Sequence, residues 1–428
     1  MEIKDIHRLF LECKSVSIDT RKIESNSMFV AIKGERFDAN TFAKEALEKG
    51  ASYVIIDNKH YYIDERTILT EDSLGTLQEL SRFHREYLKL PIIALTGSNG
   101  KTTTKELVNV VLSKRYEVKA TVGNLNNHIG VPLTLLSFNN ETEIGIVEMG
   151  ANHQKEIEFL CTIARPDFGY ITNFGKAHLE GFGGFEGVIK GKSEMYAYLS
   201  DNKKIAFVNL DDAIQVEKTE GIECYTFGTK TNETNVVIDS AKADPFVSIK
   251  TQGIEITSHL IGIYNANNIN AAVTIGNYFK VDINAIKEAI ENYTPENNRS
   301  QLLKKNTNDI ILDAYNANPS SMTVALENFM QLGIPKKVAI LGDMFELGDE
   351  SLEEHKNIVV LALKDENTQF YFIGKDFYTN RIEKENMLFF ETFDGLANEL
   401  TEHKIADATV LIKGSRGMAL ERSLEFLP

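Results

Sequence analysis

A glycine-containing turn between an apolar strand and a helix constrains this chain of 428 residues more than any other feature. The apolar run Ile92–Leu95 leads into a turn that ends in Gly100, Lys101 and Thr102, where helical spacing begins. Glycine lets backbone N–H groups turn inward around phosphate oxygens, and a helix N-terminus adds a favourable dipole. We therefore expect Lys101 to neutralise the β- and γ-phosphates of a nucleotide and the Thr102 hydroxyl to reach a magnesium ion.

This turn departs from the general phosphate-loop pattern GxxxxGK[ST]. Leu95 stands where the first glycine is expected, and Gly97 follows two residues later. The plainer alternative is a glycine turn that carries a surface lysine. The order of strand, loop, Gly-Lys-Thr and helix favours phosphate binding over that alternative.

Strand and helix signals alternate along the chain. Beyond Ile92–Leu95, the apolar runs Ile144–Met149, Phe168–Thr172 and Ile205–Asn209 are separated by room for helices, which favours a largely parallel sheet. Shorter alternations precede and follow this region. The prediction is an α/β chain of three domains, with residues 1–89 as a small α/β domain, 90–298 as a central domain with a mostly parallel sheet, and 299–428 as a doubly wound, Rossmann-like domain.

Charge and cysteine content exclude several classes of protein. A formal net charge of -16 disfavours nonspecific binding to nucleic acid or to an anionic membrane, although a local basic pocket can still hold an anionic substrate. Cys13, Cys161 and Cys224 are isolated, which is typical of a reducing compartment. No run approaches about 18 apolar residues, and charges interrupt the N-terminal segment. We therefore expect no membrane span, no signal peptide and a cytoplasmic location.

Three further side chains stand where parallel sheets bind ligands or near a helix start. Glu148 ends the run Ile144–Met149, where it offers magnesium a hard oxygen, and the alternative is a surface glutamate. His178 follows the run Phe168–Thr172, and the residues alone support a structural histidine as well as a metal ligand. Lys192, judged by sequence alone, is an ordinary lysine near the start of a helix.

Five stretches, in their order along the chain, resemble the Mur ligase family over nearly the whole sequence. They are Asp19–Arg21 with Phe29–Asn40, Thr96–Lys105, Gly123–Pro132, Asp313–Pro319 and Leu341–Gly348. The resemblance implies a nucleotide-sugar-binding N-terminal domain, a central P-loop ATPase domain and a Rossmann-like C-terminal domain. It implies an ATP-dependent, ADP-forming ligase that makes amide bonds in peptidoglycan precursors. Within the family it points to the branch that adds D-alanyl-D-alanine to UDP-N-acetylmuramoyl-tripeptide through an acyl phosphate.

The same resemblance implies a set of site residues. ATP is expected to contact Thr96, Gly97, Ser98, Asn99, Gly100, Lys101, Thr102, Thr103, Asn268, Arg299, Asp313 and Asn316. Two magnesium ions are expected on Thr102, Glu148, His178 and Lys192, with Lys192 carbamylated into an anionic oxygen donor and Lys190 as a competing position. The catalytic set is Lys101, Glu148, His178 and Lys192. The substrate-binding set is Asp19, Thr20, Arg21, Lys33, Asn40, Asn124, Asn126, Asn127, Lys413, Ser415 and Arg416.

Several alternatives stay open at this point. Tyr264 stands where the family's HNxxNxxAA helix has histidine, so Asn268 is also consistent with an asparagine-rich helix cap. Asp19 and Arg21 are also consistent with an exposed salt bridge. The rival functions are a single-amino-acid-adding Mur ligase, folylpolyglutamate synthase and a non-catalytic nucleotide-binding regulator. We expect a monomer, and the third residue of the tripeptide, lysine or diaminopimelate, is not readable from the sequence.

Overall fold

The structure is a computed structural model that describes residues 1–35, 37–229, 233–295 and 298–428. Within these ranges the strands form sheets of four, nine and six members and one two-stranded hairpin. The three large sheets follow one another along the chain. The expected three-domain α/β architecture is therefore confirmed.

The first sheet is parallel and has helices on both faces. Its elements are α1 (Ile3–Leu11), β1 (Ser15–Ser17), β2 (Ser27–Val30), the hairpin β3 (Lys33–Gly34) and β4 (Phe37–Asp38), α2 (Ala43–Glu48), β5 (Ala51–Ile56), β6 (Thr67–Leu69) and α3 (Ser73–Leu88). The Asp72 carboxylate accepts from Leu74 N–H and so caps α3. Leu77 and Leu80 lie three residues apart on that helix and are fully buried against the sheet.

The central sheet begins as a parallel, doubly covered sheet. Its first elements are β7 (Ile92–Thr96), α4 (Lys101–Leu112), β8 (Val118–Ala120), α5 (Gly130–Leu136), β9 (Ile144–Glu148), α6 (Glu156–Ala164), β10 (Phe168–Ile171), α7 (Leu179–Phe182), α8 (Phe185–Asp201), β11 (Ile205–Asn209), α9 (Ala213–Lys218) and β12 (Cys224–Gly228). All five residues of β7 are buried, because helices pack on both faces. The neighbours of β7 are β9 and β10, both parallel to it. The carboxyl ends of these three strands therefore meet at one edge of the sheet.

An antiparallel extension completes this sheet and was missed by the sequence prediction. It contains β13 (Val236–Ala243), β14 (Phe246–Thr251) and β15 (Ile254–Ile261), followed by α10 (Asn265–Tyr278) and α11 (Ile283–Asn292). The central sheet is predicted from apolar runs that alternate with helices, whereas these three strands are joined by short turns. A local signal existed in Gly253, a turn residue between β14 and β15 that adopts a φ of +77° in the structure. The prediction also omitted helix α1, although Ile3, Ile6 and Phe10 have helical spacing.

The last sheet is parallel except at one edge. Its elements are β16 (Gln301–Lys305), β17 (Asn308–Asp313), α12 (Pro319–Gln331), β18 (Lys337–Gly342), α13 (Ser351–Ala362), β19 (Thr368–Ile373), α14 (Lys375–Thr379), β20 (Met387–Phe390), α15 (Phe393–Glu402) and β21 (Thr409–Lys413). The strand order is β16-β17-β21-β18-β19-β20. Among the described helices, none is both long and apolar enough to cross a bilayer. The domain boundaries at 89/90 and 298/299 stay predictions.

Candidate active site

A cavity of about 1000 Å³ lies at the carboxyl edge of the central sheet, where the C-terminal domain faces it. It brings together sixteen predicted site residues from distant parts of the chain. They are Ser98, Asn99, Gly100, Lys101, Thr102, Thr103, Asn124, Asn126, Asn127, Glu148, His178, Asn268, Arg299, Asp313, Asn316 and Lys413. The volume is sufficient for a nucleotide together with part of a second substrate.

The phosphate loop leads into an uncapped helix start, and among the described residues its lysine donates to loop carbonyls and to no carboxylate. Helix α4 begins after Gly100, which has a φ of +79° and provides no side-chain cap. The first N–H groups of this helix are therefore open to an anion. The Lys101 ammonium donates to the carbonyls of Gly97 at 2.7 Å and Ser98 at 3.3 Å. Desolvation lowers the pKa of Lys101, Arg299 lowers it further, and Glu148 opposes both. An anionic phosphate would restore the stability of the charged form.

Gly97 is required by a close approach of two strands. Its φ is +143°, and a Cβ there would lie 1.9 Å from Thr172 Oγ1. The same Thr172 hydroxyl donates to the carbonyl of Asn99 at 2.5 Å and so ties the loop to the end of β10. Thr96 is buried behind the loop and donates to the carbonyl of Met149 at 2.8 Å. Gly97 and Thr96 thus shape the loop from outside the cavity lining.

Glu148 is held at both carboxylate oxygens. It ends β9 and is 1% exposed. The Thr102 hydroxyl donates to Oε2 at 2.9 Å, and the Asn126 amide donates to Oε1 at 2.8 Å. Thr121 Oγ1 accepts the Glu148 N–H at 3.0 Å. The predicted pair of hard oxygen ligands, Thr102 and Glu148, is therefore adjacent. Asn126, which lines the cavity, also contacts Glu148, and its predicted contact with substrate stays a prediction.

His178 lies at the junction of two domains. It precedes α7 with a left-handed φ of +54°, and its Nδ1 lies against the carboxylate of Glu346 of the C-terminal domain. Glu346 has a φ of +63°, and its carbonyl accepts the Glu180 N–H at 3.2 Å. The stretch Leu341–Gly348 was recognised in the sequence, but Glu346 was not singled out. Only its position on the facing domain brings it to His178.

Lys192 is a buried amine near the site. It lies on α8, is 1% exposed and does not line the cavity. Burial lowers the pKa of Lys192 far below its usual range, and the charge of Lys101 adds to this effect, against Glu156 and Glu194. Lys190, the competing position, is exposed. Of the two candidate positions, Lys192 is therefore the buried one, and its carbamylation stays a prediction.

The C-terminal domain touches the phosphate loop directly, through residues that the sequence reasoning did not select. The Asn318 amide, which precedes α12, donates to Asn99 Oδ1 at 2.7 Å. Ser320 Oγ accepts the Lys176 N–H at 2.9 Å, and the Lys176 ammonium pairs with Glu354 on α13. These contacts hold the C-terminal domain closed against the loop.

Two residues predicted to contact ATP, Asn268 and Arg299, line the cavity as a hydrogen-bonded asparagine and a stacked arginine. Asn268 Oδ1 accepts from Thr104 Oγ1 at 3.0 Å, which joins α10 to α4. The Arg299 guanidinium lies 3.7 Å from the centre of the Tyr315 ring. Tyr264 contacts Ser300 Oγ at 3.0 Å, and the pKa of Tyr264 is raised by burial and by Asp313. Tyr264 therefore acts here as a neutral hydrogen-bonding group.

Asp313, predicted to contact ATP, is already engaged by protein groups. Its Oδ2 pairs with Lys413 at 2.6 Å, and its Oδ1 accepts the Ser300 N–H at 3.0 Å. Ser415 is buried, where its hydroxyl accepts the Phe345 N–H at 2.9 Å. Arg416 pairs with Glu421 at 2.9 Å. Ser415 and Arg416 lie outside the cavity lining.

The predicted nucleotide-sugar residues lie on the N-terminal domain, outside this cavity. Asp19 and Arg21 form an exposed bidentate pair, with 2.9 Å and 2.8 Å between their closest atoms, which lowers the pKa of Asp19. Thr20 lies between them, and Lys33 is exposed on β3. Asn40 is completely buried. Its Nδ2 donates to the carboxylates of Asp38 and Asp57, each at 2.7 Å, and its Oδ1 accepts the Asp57 N–H at 3.0 Å, so Asn40 links these two segments.

Together the fold and the cavity define a three-domain phosphate-loop protein whose C-terminal domain closes on its nucleotide site. Family models agree with this description along most of the chain. The Mur ligase family catalytic domain matches residues 12–85, the Mur ligase middle domain 95–276, and the Mur ligase glutamate ligase domain 298–416. The chain belongs to the Mur ligase family.

Curated relatives and solved structures support that membership over nearly the full length. The UDP-N-acetylmuramoyl-tripeptide--D-alanyl-D-alanine ligase of Bacillus subtilis is 33% identical, over 96% of this chain and 92% of the relative. The enzyme of that name from Escherichia coli is 32% identical, over 96% and 93%. A crystal structure of MurF from Acinetobacter baumannii has a TM-score of 0.86 at 29% identity, over 99% and 98%. MurF ligase from Thermotoga maritima in complex with ADP has a TM-score of 0.82 at 27% identity, over 97% of each chain.

Proposed function

We propose that this chain adds D-alanyl-D-alanine to UDP-N-acetylmuramoyl-tripeptide, with ATP converted to ADP and phosphate, in peptidoglycan precursor synthesis. The observation that carries the proposal is full-length similarity to ligases of that name, joined to a cavity that assembles a phosphate loop and a buried carboxylate. The solved ligase with bound ADP supports the use of ATP. The proposed reaction takes place in the cytoplasm.

The chemistry proceeds in two displacements. The tripeptide carboxylate attacks the γ-phosphorus of ATP, which breaks the bond to ADP and forms an acyl phosphate. The free amine of D-alanyl-D-alanine then attacks the acyl carbon, loses a proton and expels phosphate. The first step brings two anions together and the second expels an anionic phosphate, so most of the catalysis must come from positioning and charge neutralisation. Lys101 and the uncapped N-terminus of α4 supply that positive charge.

The residues present fit a divalent cation. Thr102 and Glu148 offer adjacent hard oxygens, and His178 offers a ring nitrogen at the same cavity. Magnesium bound there would neutralise charge on the phosphates and on the attacking carboxylate. Lys192, carbamylated by carbon dioxide, would add an anionic oxygen. Its burial and lowered pKa support this, because the neutral amine is the reactive form.

Closure of the C-terminal domain completes the site. Asn318 binds the phosphate loop through Asn99, and Glu354 binds Lys176 beside the end of β10. These contacts place Arg299, Asp313 and the cavity wall over the loop, and they exclude water from an acyl phosphate that water would hydrolyse. ATP would thus bridge the central and C-terminal domains. The nucleotide-sugar end of the substrate would extend toward Asp19, Thr20, Arg21 and Lys33 of the N-terminal domain.

One assay separates this function from its rivals. Purified protein is given Mg-ATP and UDP-N-acetylmuramoyl-tripeptide, with and without D-alanyl-D-alanine, and ADP release is followed by mass analysis of the product. We expect ADP release that needs both substrates and a product heavier by one dipeptide residue. Single amino acids, or folate with glutamate, in place of the dipeptide identify the other ligases. Nucleotide binding without any amide product identifies a regulator.

A further inference from the structure

The loop between β8 and α5 is attached to the end of β9 at several points. The N–H of Gly150, two residues after Glu148, donates to the Asn126 carbonyl at 2.7 Å. A Cβ on Gly150 would lie 2.9 Å from Asn126 Cγ, so the asparagine side chain fills the space that this glycine leaves. The backbone hydrogen bond and the packing against Gly150 therefore fix the position of Asn126 independently of the hydrogen bond that its side-chain amide makes.

The amide of Asn126 is directed at the buried carboxylate. Its Nδ2 lies 2.8 Å from Glu148 Oε1, while Thr102 Oγ1 lies 2.9 Å from Oε2. Two donors, one on each oxygen, prevent rotation of the carboxylate about its last bond. Each oxygen keeps a lone pair for a cation, because a carboxylate accepts at about four positions. With Thr102 alone, the carboxylate would be held at one oxygen only.

We propose that Asn126 is a positioning residue for the cation site, and that it holds the Glu148 carboxylate in the orientation that binds magnesium beside the phosphate loop. The inference rests on the proposed function for the role of Glu148 as a ligand. It assigns Asn126 a role different from its neighbours Asn124 and Asn127, which are exposed along the substrate side of the cavity. Hydrogen-bond partners of metal ligands orient those ligands, and their loss costs about 10- to 100-fold in metal affinity or activity.

The test measures metal affinity and substrate affinity separately. Mn²⁺ binding is followed by electron paramagnetic resonance in the presence of a non-hydrolysable ATP analogue, with Mn²⁺ as the probe for magnesium. The variants are Asn126→Ala, the nearly isosteric Asn126→Leu, and Asn124→Ala as the matched control from the same loop. Steady-state kinetics then give the Mg²⁺ midpoint and the KM for UDP-N-acetylmuramoyl-tripeptide at saturating metal.

We expect both Asn126 variants to weaken Mn²⁺ binding and raise the Mg²⁺ midpoint by about 10- to 100-fold. Their KM for the nucleotide-sugar peptide should change by less than about twofold at saturating metal. Asn124→Ala should leave Mn²⁺ affinity unchanged. Thermal unfolding is measured for each variant. If Asn126→Ala is less stable than wild type, the proposal is judged on Asn126→Leu. Wild-type Mn²⁺ affinity in both Asn126 variants, or a raised KM with unchanged metal binding, overturns the proposal.

The outcome is distinguishable from failure of the proposed reaction. If wild-type protein binds Mn²⁺ with nucleotide but makes no amide product, the ligase function is contradicted. The Mn²⁺ affinities of the Asn126 variants still decide whether Asn126 positions Glu148. Wild-type protein that makes the product, with Mn²⁺ binding unaffected in the Asn126 variants, contradicts the positioning role alone.

Discussion

A buried histidine pair predicts that the N-terminal domain loses stability in mild acid. His7 on α1 is 3% exposed, and its Nε2 lies 3.0 Å from His84 Nδ1 on α3. His84 Nε2 lies 2.9 Å from the Phe138 carbonyl of the central domain. A carbonyl only accepts, so His84 donates to Phe138 and, as a neutral ring, accepts from His7. Phe83 and Tyr87 cover the pair, with ring centres 4.9 Å and 5.0 Å from His7.

The size of the effect follows from the pKa of His7. Burial, with His84 as a smaller contribution, lowers this pKa to about 4 from 6.5. The folded-state pKa lies below the unfolded one, so the unfolded chain binds the proton first. Stability is therefore full above about pH 6.5 and is lost progressively as pH falls toward 4. Over the whole window from pH 6.5 to 4 the loss of stability is about 3 kcal/mol. Between pH 7 and pH 5 the loss is about 2 kcal/mol.

The assay compares wild-type protein with His7→Phe at pH 7 and pH 5. Amide hydrogen exchange in α1 and α3 reports the opening free energy of this domain alone, which avoids assuming that three domains unfold together. In each protein we measure how much the opening free energy falls from pH 7 to pH 5. Acid effects common to both proteins cancel when one fall is subtracted from the other. We expect the variant to lose about 2 kcal/mol less than wild type on acidification, whatever its stability at pH 7. Equal losses in the two proteins would refute the reasoning.

Three more substitutions test the catalytic cavity. Gly100→Ala places a Cβ 2.6 Å from Asn268 Oδ1 at a left-handed φ of +79°. Its cost of about 1–2 kcal/mol should weaken ATP binding about 5- to 30-fold in calorimetry, and unchanged affinity would contradict the role of this glycine. Glu354→Gln removes the pair with Lys176, and kcat/KM should fall at most about fivefold. The loss should shrink at high salt, and an equal loss at both salt concentrations would argue against an ionic contact. Removal of carbon dioxide should lower wild-type activity and bicarbonate should restore it, whereas Lys192→Arg should be inactive in both conditions. A fully active variant would exclude carbamylation.

Local sequence predicted the elements that carry the nucleotide site. The predicted run Ile205–Asn209 coincides with β11, and the three other predicted runs of the central sheet end within one residue of β7, β9 and β10. These strands are apolar and buried over most of their length, so their sequence records their environment. The extension β13–β15 was missed, because its strands are joined by turns of two residues and lack the helical spacers that marked the rest of the sheet.

The sequence by itself determined the chemistry of the phosphate loop and the family. Loop and helix are contiguous in the chain, and their backbone conformation depends on Gly97 and Gly100 themselves. Only the tertiary structure decided which side chains meet. It brought Asn126 to Glu148 and Glu346 to His178, and it buried Asn40 instead of exposing it. These pairings join residues from separate strands or domains, and their distances are set by how sheets and domains pack, which no local pattern encodes.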